Sequence, residues 1–167
     1  SEMCIRDSTY AEIVGMLTEN SDEPYAEQIA RTIMRWRNKG TFIATTTQLR
    51  ECITEALDFL PKGEKKEIIK KSCQRTFQAI RIDVNSEFEV LYSFLEKLPG
   101  ILAPGGRAAI LTFHSGEDRL VKRSFKELHR EGVYSDVARD VIRPTPEECV
   151  KNPRSKSTKM RWAIKAE

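Results

Sequence analysis

Three groups of polar residues in this chain could do chemistry. The first is the turn "FHSGED", Phe113 to Asp118, placed directly after an apolar run. His114 can carry or release a proton near neutral pH and can hydrogen-bond through either ring nitrogen, and Ser115 both donates and accepts. Adjacent Ser and His cannot form a hydrolytic triad with each other, no G-x-S-x-G elbow is present, and the only other histidine, His129, falls on a separate helix. That argues against a Ser-His hydrolase. A structural histidine bonded to nearby backbone, with Glu117 and Asp118 capping the next helix, stays open as the plainer reading. The second group is Arg75, Gln78, Arg81 and Asn85, each three or four residues from the next, so that one helix would carry them as a stripe. The third is "NPRSKSTKMR", where Arg154, Lys156, Lys159 and Arg161 crowd together and could contact phosphates or simply be solvated.

The elements that must position these groups follow from periodicity. Tyr10, Ile13, Val14 and Leu17, then Ile29, Ala30, Ile33 and Met34, then Leu49, Cys52, Ile53, Ala56 and Leu57 recur at helical spacing and predict three amphipathic helices. Asp22 with Pro24 and the run Thr45 to Thr47 are expected to start the second and third, and Pro61 to stop the third. "KGEKKEIIKK" reads as a short helix or a charged linker. From Thr76 a fourth helix is expected to run on to Leu98, with Phe77, Ile80, Val84, Phe88, Leu91, Leu95 and Leu98 inside one arc of about 80° as its core stripe. "LAPGG" breaks it, and Ala108 to Phe113 follows as a strand whose lack of alternation suits a parallel strand covered on both faces. In open α/β sheets ligands bind beyond the carboxyl ends of such strands, where His114 and Ser115 would stand. A helix from about Glu117 to Arg130 comes next. Then "DVIRP" and "KMRWAIKA" read as two short strands, with a helical turn at residues 147–150 between them.

Composition narrows the class. With 40% hydrophobic and 32% charged residues among 167, the chain can bury a core, and no run approaches the roughly 20 apolar residues of a membrane span, so it reads as an intracellular protein with no membrane partner. Cys4, Cys52, Cys73 and Cys149 lie far apart, form no C-x-x-C pair and have no histidine at ligand spacing; reduced thiols are expected, without a metal or a disulfide framework. From Arg119 to Glu167 there are thirteen Lys and Arg against seven Asp and Glu, an excess of six in the C-terminal part. No P-loop or G-x-G-x-x-G is present.

"L-x-P-G-G" ahead of an apolar strand resembles the approach to the fifth strand of Rossmann-like S-adenosylmethionine-dependent methyltransferases. The ordered set "RTFQAIRIDVNSE", "LAPGGRAAILTFHSGEDRLVKR" and "NPRSKSTKMRWAIKAE" resembles, more specifically, the bacterial 16S rRNA N4-cytosine methyltransferase family. "YAEQIARTI" and "TTTQLRECI" are similar to that family's inserted helical subdomain. The resemblance runs from about Thr9 to the end and covers the family's C-terminal half. Gly116 stands where the family usually has leucine, and "KSCQ" replaces His-Pro-Ala-like residues before Arg75. Nothing here matches the family's glycine-rich G-G-H-S loop, its ribose-binding acid or its D-L-G-V-S segment.

The resemblance therefore implies an α/β fold: the C-terminal part of a Rossmann-like class I sheet at 72–167, with a mostly helical inserted subdomain at 9–71. "SEMCIRDS", residues 1–8, resembles translated adapter sequence and is expected to be non-native, with the gene continuing upstream. The activity implied is cytoplasmic methylation of the N4 amine of a cytosine in 16S rRNA, in the small ribosomal subunit. S-adenosylmethionine would be bound mainly outside this chain, leaving the chain inactive alone and its apolar strand edge open, so that it is expected to be poorly soluble or partly folded. Gln78, Arg81, Asn85, His114 and Ser115 are then the substrate-facing candidates, and Arg154, Lys156, Lys159 and Arg161 the phosphate candidates. Two other readings remain: a non-catalytic RNA-binding or ribosome-associated module, and a methyltransferase of the same fold with another substrate.

Overall fold

The computed structural model describes residues 5–167. Of the residues read as non-native, 1–4, including Cys4, lie outside the described ones; Ile5 is buried, and Arg37 donates to the carbonyls of Ile5 and, at 2.7 Å, of Ser8. The chain divides into two compact units, 1–86 and 87–167. The boundary at residue 71 drawn from the sequence falls inside a helix.

The first unit carries the helices α1 Tyr10–Ser21, α2 Ala26–Asn38, α3 Thr46–Ala56 and α4 Lys62–Asn85. Thr9 and Thr45 each start a helix through a capping box, with Glu12 and Gln48 returning the bond to the cap's backbone. The periodic residues fill the core: Ile13, Leu17, Ile29, Ala30, Cys52, Ile53 and Leu57 are fully buried. Glu23, between Asp22 and Pro24, has a fully buried side chain that accepts from Ser72 Oγ at 2.8 Å and from the Tyr25 amide at 3.1 Å. The Ser72 bond ties the α1–α2 turn to α4. Two readings need correction. Pro61 does not stop α3, which ends at Ala56; its fixed φ of −57° leads into α4, where its missing N–H is no loss. "KGEKKEIIKK" is the first part of that same 24-residue helix. Cys52, Cys73 and Cys149 are free thiols, and burial pushes Cys52 up to about 12.

The single helix expected from Thr76 to Leu98 is two. Ser86 takes a left-handed conformation (φ 49°, ψ 40°), so α4 stops at Asn85 and α5, Glu87–Ile101, starts afresh. Val84, placed in the core stripe by the wheel, is 47% exposed, whereas Leu95 and Leu98 are buried.

In the second unit β1 Arg107–Thr112, α6 Ser115–Arg130, β2 Tyr134–Val137, α7 Pro146–Lys151 and β3 Lys159–Lys165 follow α5. The sheet order is β1-β3-β2, and both pairings are antiparallel, Arg107 opposite Ile164 and Tyr134 opposite Lys165. Among the described residues β1 thus has no parallel partner, against the expectation from its apolar run. β1 is chemically apolar, yet its exposure alternates: Ala108, Ile110 and Thr112 turn toward the core, while Leu111 is 57% exposed. Leu95 and Leu98 of α5 and Val121 and Phe125 of α6 pack with Ala163 and Tyr134 on the inner face. "DVIRP" is no strand; Ile142 makes one isolated bridge to Met160, and the second strand lies earlier, at Tyr134–Val137. The turn expected at 147–150 is α7. Among the described residues no helix is long and apolar enough to cross a membrane.

Candidate functional site

β1 delivers Phe113 and His114 to the start of α6. His114 has extended backbone (φ −140°, ψ 166°), and its Nδ1 accepts the Glu117 amide at 3.4 Å. Glu117 Oε2 accepts in turn from the Phe113 amide at 3.0 Å. The pair works like a capping box with histidine in the cap position, satisfying an amide that the helix itself leaves open. A neutral imidazole that accepts at Nδ1 carries its proton on Nε2. That atom stands 3.4 Å from Glu117 Oε1, and only 11% of the His114 side chain is exposed. Ser115, the first residue of α6, is exposed.

Phe88 of α5 closes over this turn, its ring 5.8 Å from the imidazole. A Cβ at Gly116 would stand 2.5 Å from Phe88 Cζ, so this ring fills the space a leucine at 116 would need. Glu87, His114 and Glu117 each bring a possible ligand atom within 4.8 Å of the others.

Asp118, read as a helix cap, does something else. Its carboxylate takes both Nε and Nη2 of Arg161, at 2.7 and 3.1 Å, a bidentate pair joining α6 to the central strand β3. Arg161 is only 6% exposed. Of the four phosphate candidates it is therefore the one that the fold withdraws, because alternation along β3 turns position 161 to the same inner side as the buried Ala163. Arg154 and Lys156 are exposed on the 3-10 turn 153–157, and Lys159 is half-buried at the start of β3. Gln78, Arg81 and Asn85 lie along the last turns of α4 in the first unit, Gln78 half-buried and the other two exposed. Spacing revealed neither the Asp118–Arg161 pair nor the Phe88–Gly116 contact, since both join residues far apart in sequence; the apolar and charged types at 88 and 118 were the only signals.

The family described as MraW methylase matches residues 2–166. The chain belongs to the MraW methylase family. It is 64% identical over 162 residues to "Ribosomal RNA small subunit methyltransferase H 1" of Lachnoclostridium phytofermentans, covering 97% of this chain and 44% of that relative. A protein of the same name from Agathobacter rectalis is 64% identical over 156 residues, 93% of this chain and 45% of its own length. "Ribosomal RNA small subunit methyltransferase H 2" of Alkaliphilus metalliredigens is 61% identical over 155 residues, 93% and 44%. The chain thus spans less than half the length of these relatives. Every candidate residue named above falls within the MraW methylase match, which also takes in residues 2–8.

Proposed function

We propose that this chain is part of an S-adenosylmethionine-dependent enzyme that methylates the N4 amine of a cytosine in the 16S rRNA of the small ribosomal subunit, in the cytoplasm. The observation that carries the reading is the family match over residues 2–166, joined to 64% identity with a relative named as a ribosomal RNA small subunit methyltransferase. In this reading residues 9–71 are an inserted helical subdomain and 72–167 the C-terminal half of the methyltransferase domain. The three-stranded sheet is then the antiparallel end of a larger Rossmann-like sheet. An open β1 edge with Leu111 and Phe113 exposed supports such a continuation.

In this reading the described residues supply no cradle for the methyl donor. The glycine turn ahead of β1 bonds inward, Gly105 N–H to the Lys165 carbonyl and Gly106 N–H to that of Ala103, and it opens on a strand instead of a helix start. In this reading donor binding belongs to other segments of the protein, and this chain is inactive alone. Its own part is to bind RNA. A cytosine amine is a weak nucleophile because its lone pair is conjugated with the ring, so rate comes mainly from extruding and orienting the base. Gln78 and Asn85 carry amides that can pair with a base edge, and Arg81 can hold a phosphate or stack on a base. His114 and Ser115 offer polar contacts at the start of α6, and Arg154, Lys156 and Lys159 contact phosphates.

The test is transfer of labelled methyl from S-adenosylmethionine to purified small subunits. The complete gene product is expected to label 16S rRNA and this chain alone to leave it unlabelled. Label transferred by the chain alone overturns the division of labour, and no transfer by the complete product overturns the activity.

A further inference from the structure

α3 and α4 enclose a groove of about 940 Å³ in the first unit, lined by Arg50, Lys62, Lys65, Lys66, Lys70 and Phe77 among others. Lys65 is held by Asp58, and Glu67, the one carboxylate in the lining, pairs with Lys71 at 4.0 Å. Among the described residues Arg50, Lys62, Lys66 and Lys70 have no ion-pair partner. Lys62, Lys66 and Lys70 are spaced i, i+4 on one helix stripe, where like charges repel. Lys62 and Lys65 also stand in the first turn of α4, where the helix dipole disfavours cations. Local helix stability argues against this array, and a bound polyanion would relieve both conflicts.

Resting on the rRNA reading above, we propose that this groove is an RNA-backbone track, separate from the basic loop at 154–159. Residues four apart on a helix are about 6 Å apart along its axis, comparable with the step between successive phosphates of an extended strand. Ile69, Cys73 and Phe77 line the same groove and give it an apolar portion beside the lysines. The strand's phosphates lie along Lys62, Lys66 and Lys70, with Arg50 opposite on α3.

The test is anisotropy of a fluorescein-labelled single-stranded RNA titrated with this chain across a salt series. Lys62→Gln, Lys66→Gln and Lys70→Gln combined should lower the salt slope by about 2, since each contact to a single strand contributes about 0.7. Near 0.1 M salt the same three contacts correspond to about a hundredfold in affinity. Glutamine matches lysine in helix propensity, and an unchanged far-UV spectrum checks that α4 persists. A wild-type slope in the triple variant, with Arg154→Gln and Lys156→Gln lowering it, overturns the groove and leaves the rRNA reading standing. Displacement of the RNA by polyglutamate at equal charge concentration also overturns it, in favour of an acidic protein segment. Failure of the wild-type chain to bind RNA, with the complete gene product methylating a non-RNA acceptor, overturns both.

Discussion

Replacing Arg161 by methionine separates a brace from a phosphate contact. The substitution keeps an unbranched stem but removes a guanidinium that is 6% exposed and makes two bonds to Asp118, at 2.7 and 3.1 Å. Removing one partner of a buried pair costs about 3–5 kcal/mol, because the other charge is left without compensation. Asp118 keeps 16% of its side chain exposed, so water relieves part of that penalty, and a loss of about 3 kcal/mol is expected. At a urea dependence of about 1–3 kcal/mol per molar, the midpoint should fall by about 1–3 M. The chain has two tryptophans, Trp36 in the first unit and Trp162 beside Arg161, so a Trp36→Phe background lets fluorescence report the second unit. Asp118→Asn in the Arg161→Met background should recover part of the loss, giving a coupling of about 2 kcal/mol in a double-mutant cycle. An additive cycle with a loss under about 0.5 kcal/mol would refute the brace. A phosphate-binding Arg161 would leave the urea curve unchanged and lower the RNA salt slope by about 1.

Other perturbations follow from the same geometry. Tyr134 is 1% exposed, and its hydroxyl finds no partner among the described residues, so Tyr134→Phe should stabilise by about 1 kcal/mol and raise the melting midpoint; a destabilised variant would reveal a partner. Gly116→Ala should cost about 1–3 kcal/mol by crowding Phe88, and less in a Phe88→Ala background, where only the 3.2 Å approach to His114 Nδ1 still opposes the gain in helix propensity; equal effects in both backgrounds would contradict the contact. Glu55 accepts from Trp36 Nε1 at 2.8 Å and Arg35 Nη2 at 2.6 Å, and these bonds, the indole's first, hold its carboxyl below the ordinary 4.5. A depressed folded value contributes stability above 4.5 that is lost as the pH falls through the folded value. Wild type should therefore lose more thermal stability than Glu55→Gln between about pH 6 and pH 3, and parallel curves would remove Glu55 from the account.

Much of the first unit could be read from the residues because its helices are amphipathic and capped locally, as at Thr9 and Thr45. The break at Ser86 could not, since the apolar phase of the wheel continues across it and a left-handed serine carries no sequence mark. β1 misled for a related reason: its composition is apolar on both sides, but burial depends on which neighbours pair and pack, and those come from Lys159–Lys165. Four residues at Tyr134–Val137 are too short a run for alternation to stand out. In the candidate site, the position of His114 beyond a strand was visible, whereas its capping role depends on ring geometry. The four cations from Arg154 to Arg161 looked equivalent as charges; only strand alternation and a partner on α6 distinguish Arg161.

The most direct test of the central claim is nucleoside mass spectrometry of 16S rRNA from small subunits treated with the complete gene product and deuterated-methyl S-adenosylmethionine. The account predicts the deuterated methyl on the N4 amine of cytidine. Label on another nucleoside, or on ribosomal protein alone, would contradict it.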